Sequence, residues 1–275
     1  MIGQKQRSLS AIALLSLGYF ASAVLGHRGE SGTEDGGELD PHIELNPHWS
    51  ILHRNVIGSP SEILTNGPFV RGATGLLSSP PFGVGSLSFL VGPPTTTPAG
   101  ALEKASFGNE VDYYGKFFQE IKQLGFHVYT TGENAGRNPV NLPGITLEVY
   151  FRVANTLTYT SVVWAPPPSA VTVGEWSRFI DATKEGTWFL SQDATIHTGC
   201  SQATPCPFSQ LMQQANTVDP AAFILSIAVA KGRDFEWQGA IDGLRINDKI
   251  IDFEIEGVYE ISDNHPRGEN EHHFH

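Results

Sequence analysis

The sequence has few cysteines and few basic residues. These shortages argue against a cysteine-based metal site and against binding to nucleic acid. Its only cysteines, Cys200 and Cys206, have no second cysteine pair or close histidine with which to form a tetrahedral metal site. Lysine and arginine total 17 against 29 acidic residues, giving a net charge of −12. Because phosphate binding draws on clustered basic residues, and no cluster is visible, nucleic acid is not an expected partner.

Motifs of several enzyme classes are also missing. Gly-x-Ser-x-Gly is absent, since Ser86 is followed two positions later by Ser88 and not by glycine. No glycine-rich phosphate loop leads from a strand into a helix, so no nucleotide cofactor is expected. No Asn-x-Ser/Thr sequence occurs either, and N-glycosylation is therefore not predicted.

The N-terminal segment has the features of an export signal. A basic start at Lys5 and Arg7 precedes an apolar run over residues 11–25 and small residues suited to cleavage, which predicts a signal peptide at 1–26. A membrane anchor is the competing interpretation, but the run is shorter than the roughly 20 residues a span needs. We therefore expect a secreted protein without a membrane span, in which residues 27–42, rich in glycine and acidic residues, form a disordered linker.

The rest of the chain alternates short apolar segments with turn residues, as in an all-β protein. Strict period-two alternation marks residues 145–152 as a strand, and residues 114–129 are expected to form a turn or short helix that runs into a strand. The other predicted strands are 51–57, 85–91, 159–164, 177–182, 186–190, 223–230, 238–246 and 250–255. With 29 glycines, 18 prolines and one short helix predicted at 207–216, an antiparallel two-sheet sandwich is the main option.

The sandwich is expected to occupy residues 43–256 as one domain. Residues 257–275 are predicted to be a disordered, acidic and histidine-rich tail, in which His265, His272, His273 and His275 could attract zinc or copper adventitiously. The two cysteines, exported together, are expected to form a disulfide that closes a small loop.

Four segments carry a family likeness: residues 69–89 (FVRGATGLLSSPPFGVGSLSF), 147–153 (LEVYFRV), 171–190 (VTVGEWSRFID with GTWFL) and 237–254 (WQGAIDGLRINDKIIDFE). Together they resemble secreted jelly-roll proteins of the concanavalin A-like and laminin G-like type, above all their uncharacterised microbial members. The resemblance implies a jelly-roll sandwich that binds extracellular glycan or protein. The Glu-x-Asp-x-x-Glu strand of the retaining glucanases in that superfamily has no match.

Strand 145–152 supplies the candidate catalytic residues. Alternation places Glu148, Tyr150 and Arg152 on one face, where a carboxylate, a phenol and a guanidinium are suited to acid–base chemistry or to holding a sugar acid. His127 would join them if its strand were adjacent. The alternative is a solvated outer face with an ordinary Glu/Arg pair.

Aromatic and acidic residues supply the candidate ligand and metal sites. Trp164, Tyr129 and Trp237 are candidate surfaces for sugar stacking, although large aromatics more often fill sandwich interiors. Asp242 and Asp252 are candidate ligands of a structural Ca²⁺, although aspartates are also common at turns and strand ends. No other cofactor is predicted.

Three functions remain open from the sequence. The first is a non-enzymatic domain that binds extracellular polysaccharide or a matrix component. The second is a polysaccharide lyase or glycoside hydrolase that uses the polar face of residues 145–152. The third is a structural surface or matrix protein without a small ligand.

Overall fold

The computed structural model of the protein describes residues 42–68, 78–92, 103–133, 141–191 and 198–262. The predicted signal peptide, the predicted linker up to residue 41 and the chain beyond residue 262, with its four histidines, lie outside them. No helix within the described ranges is long and apolar enough to cross a membrane.

The described strands form two antiparallel sheets, one of eight strands and one of six. The larger sheet contains β1 (His42–Leu45), β3 (Ser61–Asn66), β4 (Gly85–Val91), β6 (Leu124–Thr130), β9 (Ile180–Asp181), β12 (Trp237–Ile246), β13 (Lys249–Glu254) and β14 (Gly257–Ser262). The smaller sheet contains β2 (Trp49–Ile51), β5 (Ala105–Asn109), β7 (Gly144–Val153), β8 (Thr156–Ala165), β10 (Thr187–Leu190) and β11 (Phe223–Lys231). Within the described ranges they are accompanied by one α-helix, α1 (Phe208–Val218). The predicted all-β, two-sheet sandwich is confirmed, and so is the short helix predicted at 207–216.

Alternation along the strands places the core between the two sheets. In β7, Ile145, Leu147, Val149 and Phe151 are fully buried and point inward, while the residues between them point outward. Trp164 and Trp188 are fully buried in the same core, and the Trp164 ring also contacts Phe126 from the opposite sheet. Each sheet therefore has an outer face that is free to carry polar and functional side chains.

Strand β12 is the branch point of the eight-stranded sheet. One edge of it pairs with β4 through residues 237–241 and then with β13 through residues 244–246, while the other edge pairs with β6. Gly243 lies at the change of partner with a φ of +58°, a conformation that favours glycine. The preceding residue, Asp242, is thereby fixed on the outer face at the junction of three strands.

Several predicted boundaries are wrong. Of the strand predicted at 177–182, only Ile180–Asp181 is a strand. Residues 51–57 are not one strand, because β2 ends at Ile51 and His53–Asn55 forms a 3₁₀ turn of polar residues. The tail predicted from residue 257 is instead a strand over its first six residues, since β14 pairs with both β13 and β1 and buries Val258. Helix α1 matches its prediction within two residues at its C-terminal end and begins directly after Pro207.

The predicted disulfide is confirmed and protects a sheet edge. Cys200 and Cys206 are bonded, with Cα atoms 5.4 Å apart. The backbone of Cys206 exchanges two hydrogen bonds with Trp188 on β10, and Leu190 donates to the carbonyl of Cys200. The small loop therefore covers the open edge of β10, an edge that would otherwise offer unpaired backbone groups to another chain.

Candidate functional site

The candidate site is the outer face of the six-stranded sheet, where Glu148 is the central group. Glu148 is only 2% exposed, and both of its oxygens are occupied. Oε1 accepts hydrogen bonds from the Tyr159 hydroxyl at 2.6 Å and from Asn55 Nδ2 at 3.1 Å. Oε2 accepts from Ser226 Oγ at 2.6 Å and from the Arg54 guanidinium.

These contacts fix the protonation of the group. Burial alone would raise the pKa of Glu148, but the hydrogen bonds from Ser226, Tyr159 and Asn55 and the charge of Arg54 outweigh it and hold the pKa below its ordinary value. The pKa of Tyr159 is raised by burial and by its bond to Glu148. At neutral pH the pair is therefore a carboxylate and a neutral phenol, and neither is poised to move a proton.

The predicted catalytic set is only partly assembled. Glu148, Tyr150 and Arg152 do share the outer face of β7, as predicted. Arg152, however, is exposed, and its backbone N–H donates to Asp219 Oδ2 at 2.6 Å. The guanidinium beside Glu148 belongs to Arg54, which also pairs with Glu110.

The remaining correction concerns His127. It lies on β6 in the opposite sheet, paired with β12 and β9, so the adjacency on which its place in the catalytic set depended does not occur. The sequence predicted the strands that carry Glu148 and His127, but it could not show that they belong to different sheets.

Tyr150 belongs to a row of aromatic rings instead. It contacts Tyr159 on β8 and Phe223 on β11, with ring centroids 6.2 and 5.6 Å apart. All three side chains are partly exposed and are register partners across three neighbouring strands. Phe117, the bridge partner of Phe223, is 48% exposed and continues the row onto a fourth segment. The outer face thus carries an aromatic strip, formed by Tyr159, Tyr150, Phe223 and Phe117.

The residues predicted to stack on sugars do not face solvent. Trp164 and Trp237 are fully buried, and their indole N–H groups donate to the Glu185 carbonyl at 2.9 Å and to Thr130 Oγ1 at 3.1 Å. Tyr129, on β6 of the eight-stranded sheet, is buried against Trp176. As placed, none of the three rings offers a face to a sugar. The two tryptophans lie inside the sandwich, where a large aromatic removes more apolar surface from water than it would at the rim.

The two predicted metal ligands share the outer face of the eight-stranded sheet, on β12 and β13. Asp242 Oδ2 accepts from the backbone N–H of Phe82 at 2.9 Å. Asp252 Oδ1 is buried and has no hydrogen-bond partner among the residues that the structure describes. Burial raises the pKa of Asp242 to about 8 and that of Asp252 to about 6. Across the described ranges, no three His, Cys, Asp or Glu side chains are arranged to hold a metal ion. Calcium therefore stays a prediction from the sequence.

Sequence reasoning missed the partners of Glu148 because they come from distant segments. Arg54 and Asn55 precede it by more than ninety residues, and Ser226 follows it by 78. The hairpin between β7 and β8 was the one contact that local sequence could have indicated. Ala154 and Asn155 form its two-residue turn. The resulting register sets Tyr159 opposite Tyr150 and diagonally across from Glu148.

No protein-family model matches the chain, and neither a curated protein nor a solved structure is significantly similar to it.

Proposed function

We propose that the protein is a secreted, non-enzymatic domain that binds a neutral extracellular polysaccharide on the outer face of its six-stranded sheet. The aromatic strip carries this proposal. Flat rings offer apolar faces to pyranose rings, and a strip that crosses four neighbouring segments suits an extended polymer better than a single sugar. The proposal keeps the resemblance to concanavalin A-like jelly-roll proteins, whose implied role is extracellular binding.

The polar groups beside the strip support recognition of hydroxyl groups. The Tyr159 hydroxyl is held by Glu148, which Arg54, Asn55 and Ser226 hold in turn. A surface fixed before the ligand arrives loses little conformational entropy on binding, so even weak individual contacts give useful affinity.

Charge favours a neutral polymer over an acidic one. Arg54, the cation that contacts Glu148 beside the strip, is already paired with Glu110 and Glu148. The whole chain carries a net charge of −12, which repels polyanions at long range.

The bonding of Glu148 favours binding over catalysis. A general acid needs a pKa near the working pH, whereas the pKa of Glu148 is lowered and its oxygens already accept four hydrogen bonds. We therefore expect the polymer to be retained and not cleaved.

The test compares two tyrosines on opposite faces. Tyr150→Ala removes the centre of the strip, and we expect its affinity for the retained polysaccharide to fall at least about tenfold, or 1.4 kcal/mol. Tyr259→Ala is the control, because Tyr259 is a partly exposed tyrosine on β14 of the other sheet.

Both variants and the parent chain would be measured by affinity electrophoresis in neutral and acidic polysaccharides, with thermal melting to verify folding and an assay for new reducing or unsaturated ends. Equal affinity in Tyr150→Ala and the parent chain would overturn the proposal, and so would the absence of binding to every polymer by the parent chain. New chain ends would replace it with the lyase or hydrolase hypothesis.

A further inference from the structure

We propose that the aromatic strip binds a polymer of N-acetylated amino sugars, whose acetamido group enters a small pocket at the Phe117 end of the strip. This inference rests on the function proposed above and names the class of neutral polysaccharide. Phe117 belongs both to the strip and to the wall of the pocket, so a polymer lying along the strip reaches the pocket. The pocket itself lies between the segment 113–121, β11 and the β12–β13 hairpin.

The size of the pocket suits a substituent of a sugar ring and not the ring itself. Its volume is about 60 Å³. A cavity needs roughly 10–15 Å³ on this measure to hold one water molecule, so the pocket has room for about four. An acetamido group fills a space of this order.

Part of the wall is apolar. Ile121, Ile224 and Ile246 all line the pocket and are almost fully buried. A hydroxyl group placed against them would lose contact with water and gain no hydrogen bond there, whereas a methyl group gains free energy by leaving water. The isoleucines therefore favour an acetyl methyl group over the hydroxyl group of an unmodified sugar.

Tyr113 supplies a hydrogen-bond donor that lacks an acceptor. It lines the pocket and is 4% exposed, and its buried hydroxyl has no hydrogen-bond partner among the residues that the structure describes. Burial and the charges of Glu260, Asp112 and Asp248 raise the pKa of Tyr113 well above its ordinary value, so the hydroxyl keeps its proton. The carbonyl oxygen of an acetamido group can only accept hydrogen bonds, and it would supply the missing partner.

The donor is held in place before a ligand arrives. The Trp49 ring packs edge-on against the Tyr113 ring with centroids 6.3 Å apart, and Lys116 Nζ lies 5.3 Å from the centroid of Tyr113. At the tip of the β12–β13 hairpin, Asn247 Nδ2 donates to the carbonyl of Glu120 at 3.1 Å and fixes the hairpin beside the segment 113–121. A pocket ordered in this way loses little conformational entropy on binding.

The charges around the pocket favour a neutral group. Two lysines, Lys116 and Lys249, and two acids, Glu120 and Asp248, line it, so their formal charges cancel. Lys249 also pairs with Glu260. The carboxylates can accept a hydrogen bond from the acetamido N–H, whereas a free amino sugar or a uronic acid would bring a charge that this balanced set does not neutralise.

The test uses two ligands that differ in the group assigned to the pocket. The hexamers of chitin and of cellulose share one backbone, but chitin has an acetamido group where cellulose has a hydroxyl group. Each would be titrated into the full chain by calorimetry. We expect the chitin hexamer to bind at least about tenfold more tightly, and its acetyl methyl groups to give nuclear Overhauser contacts to Ile121 or Ile224.

Tyr113→Phe is the decisive variant, because it removes only the hydroxyl oxygen. We expect its affinity for the chitin hexamer to fall at least about fivefold while its affinity for the cellulose hexamer stays the same. Thermal stability should not fall, since the deleted hydroxyl has no partner to lose. Tyr114→Phe is the matched control, because Tyr114 is the next residue, is 64% exposed and lies outside the lining of the pocket.

Failure of the pocket and failure of the strip give different results. Equal affinity of the parent chain for the two hexamers, or full affinity of Tyr113→Phe for the chitin hexamer, would refute the role of the pocket, and weaker binding of both hexamers by Tyr150→Ala would still support the strip. Chitin binding that Tyr113→Phe loses and Tyr150→Ala keeps would support the pocket and refute the strip. A parent chain that binds neither hexamer would overturn the inference.

Discussion

At the level of single residues, Glu148 and Asp242 are both buried acids, yet their surroundings drive their pKa values in opposite directions. Glu148 is surrounded by donors and a guanidinium, so its charged form is favoured. Asp242 is buried and lies near Asp252, and the backbone N–H groups that bond to it do not compensate for these two effects. The two residues therefore make opposite contributions to the pH dependence of stability.

Glu148→Gln tests the first contribution. The substitution removes a buried charge and sets an amide N–H₂ against groups that are themselves donors, so we expect a loss of about 2–4 kcal/mol in the free energy of unfolding at pH 7. Because the folded pKa is lowered, the parent chain should lose this contribution as the pH falls below about 4.5, and the two proteins should converge there.

Urea unfolding at several pH values measures both effects, and Arg152→Ala, at an exposed position of the same strand, is the control. A constant gap between Glu148→Gln and the parent from pH 7 to pH 3 would contradict the assigned ionisation.

Asp242→Asn should show the opposite dependence. The folded pKa of about 8 is above that of an unfolded aspartate, so the folded parent binds more protons than the unfolded chain between about pH 4 and pH 8, and its stability falls as the pH rises through that window. The Asn variant should have a flatter curve and exceed the parent at pH 9. Asp248→Asn, at an exposed turn position, should keep the parental slope; parallel curves for Asp242→Asn and the parent would refute the raised pKa.

At the level of elements, the hairpin between β7 and β8 positions Glu148 beside Tyr159. Its two turn residues, Ala154 and Asn155, have φ values of 45° and 66°. Asparagine tolerates this left-handed region, but alanine does so at a cost of about 1–2 kcal/mol. The hairpin therefore carries strain at one identifiable residue.

Ala154→Gly should relieve that strain. We expect the free energy of unfolding to rise by up to about 1 kcal/mol, since the gain in the folded state exceeds the extra freedom of glycine in the unfolded chain. Ala221→Gly provides the comparison, because Ala221 is an exposed turn residue without a positive φ and should lose stability. Chemical denaturation of both variants distinguishes them, and a loss of stability in both would argue against strain at Ala154.

Elements also show what the sequence could predict. The alternation of β7 predicted this strand correctly because its inward residues are all large and apolar. Helix α1 was predicted from Pro207 at its start and from Leu211, which lies on its buried face. His53–Asn55 was misassigned because the side chains of Arg54 and Asn55 bond to Glu148, a contact that no local pattern encodes. The prediction that Trp164 and Trp237 stack on sugars was wrong for a related reason. Composition shows that an aromatic residue is present, but only the packing of both sheets decides whether it faces inward.

At the level of the whole molecule, the aromatic strip is confined to one of the two sheets. It belongs to β7, β8 and β11 with the adjoining Phe117. We therefore expect substitutions on the outer face of the eight-stranded sheet to leave the strip intact.

The pairing of the first and last described strands has a mechanical consequence. His42 on β1 is the register partner of Ser262 on β14, so the chain enters and leaves the sandwich at neighbouring positions. A force that separates these two points would open the short β1–β14 ladder one pair at a time, as a zipper, and would not shear all of its hydrogen bonds together. We therefore expect a pulling force on the two ends of the described chain to separate β1 from β14 first.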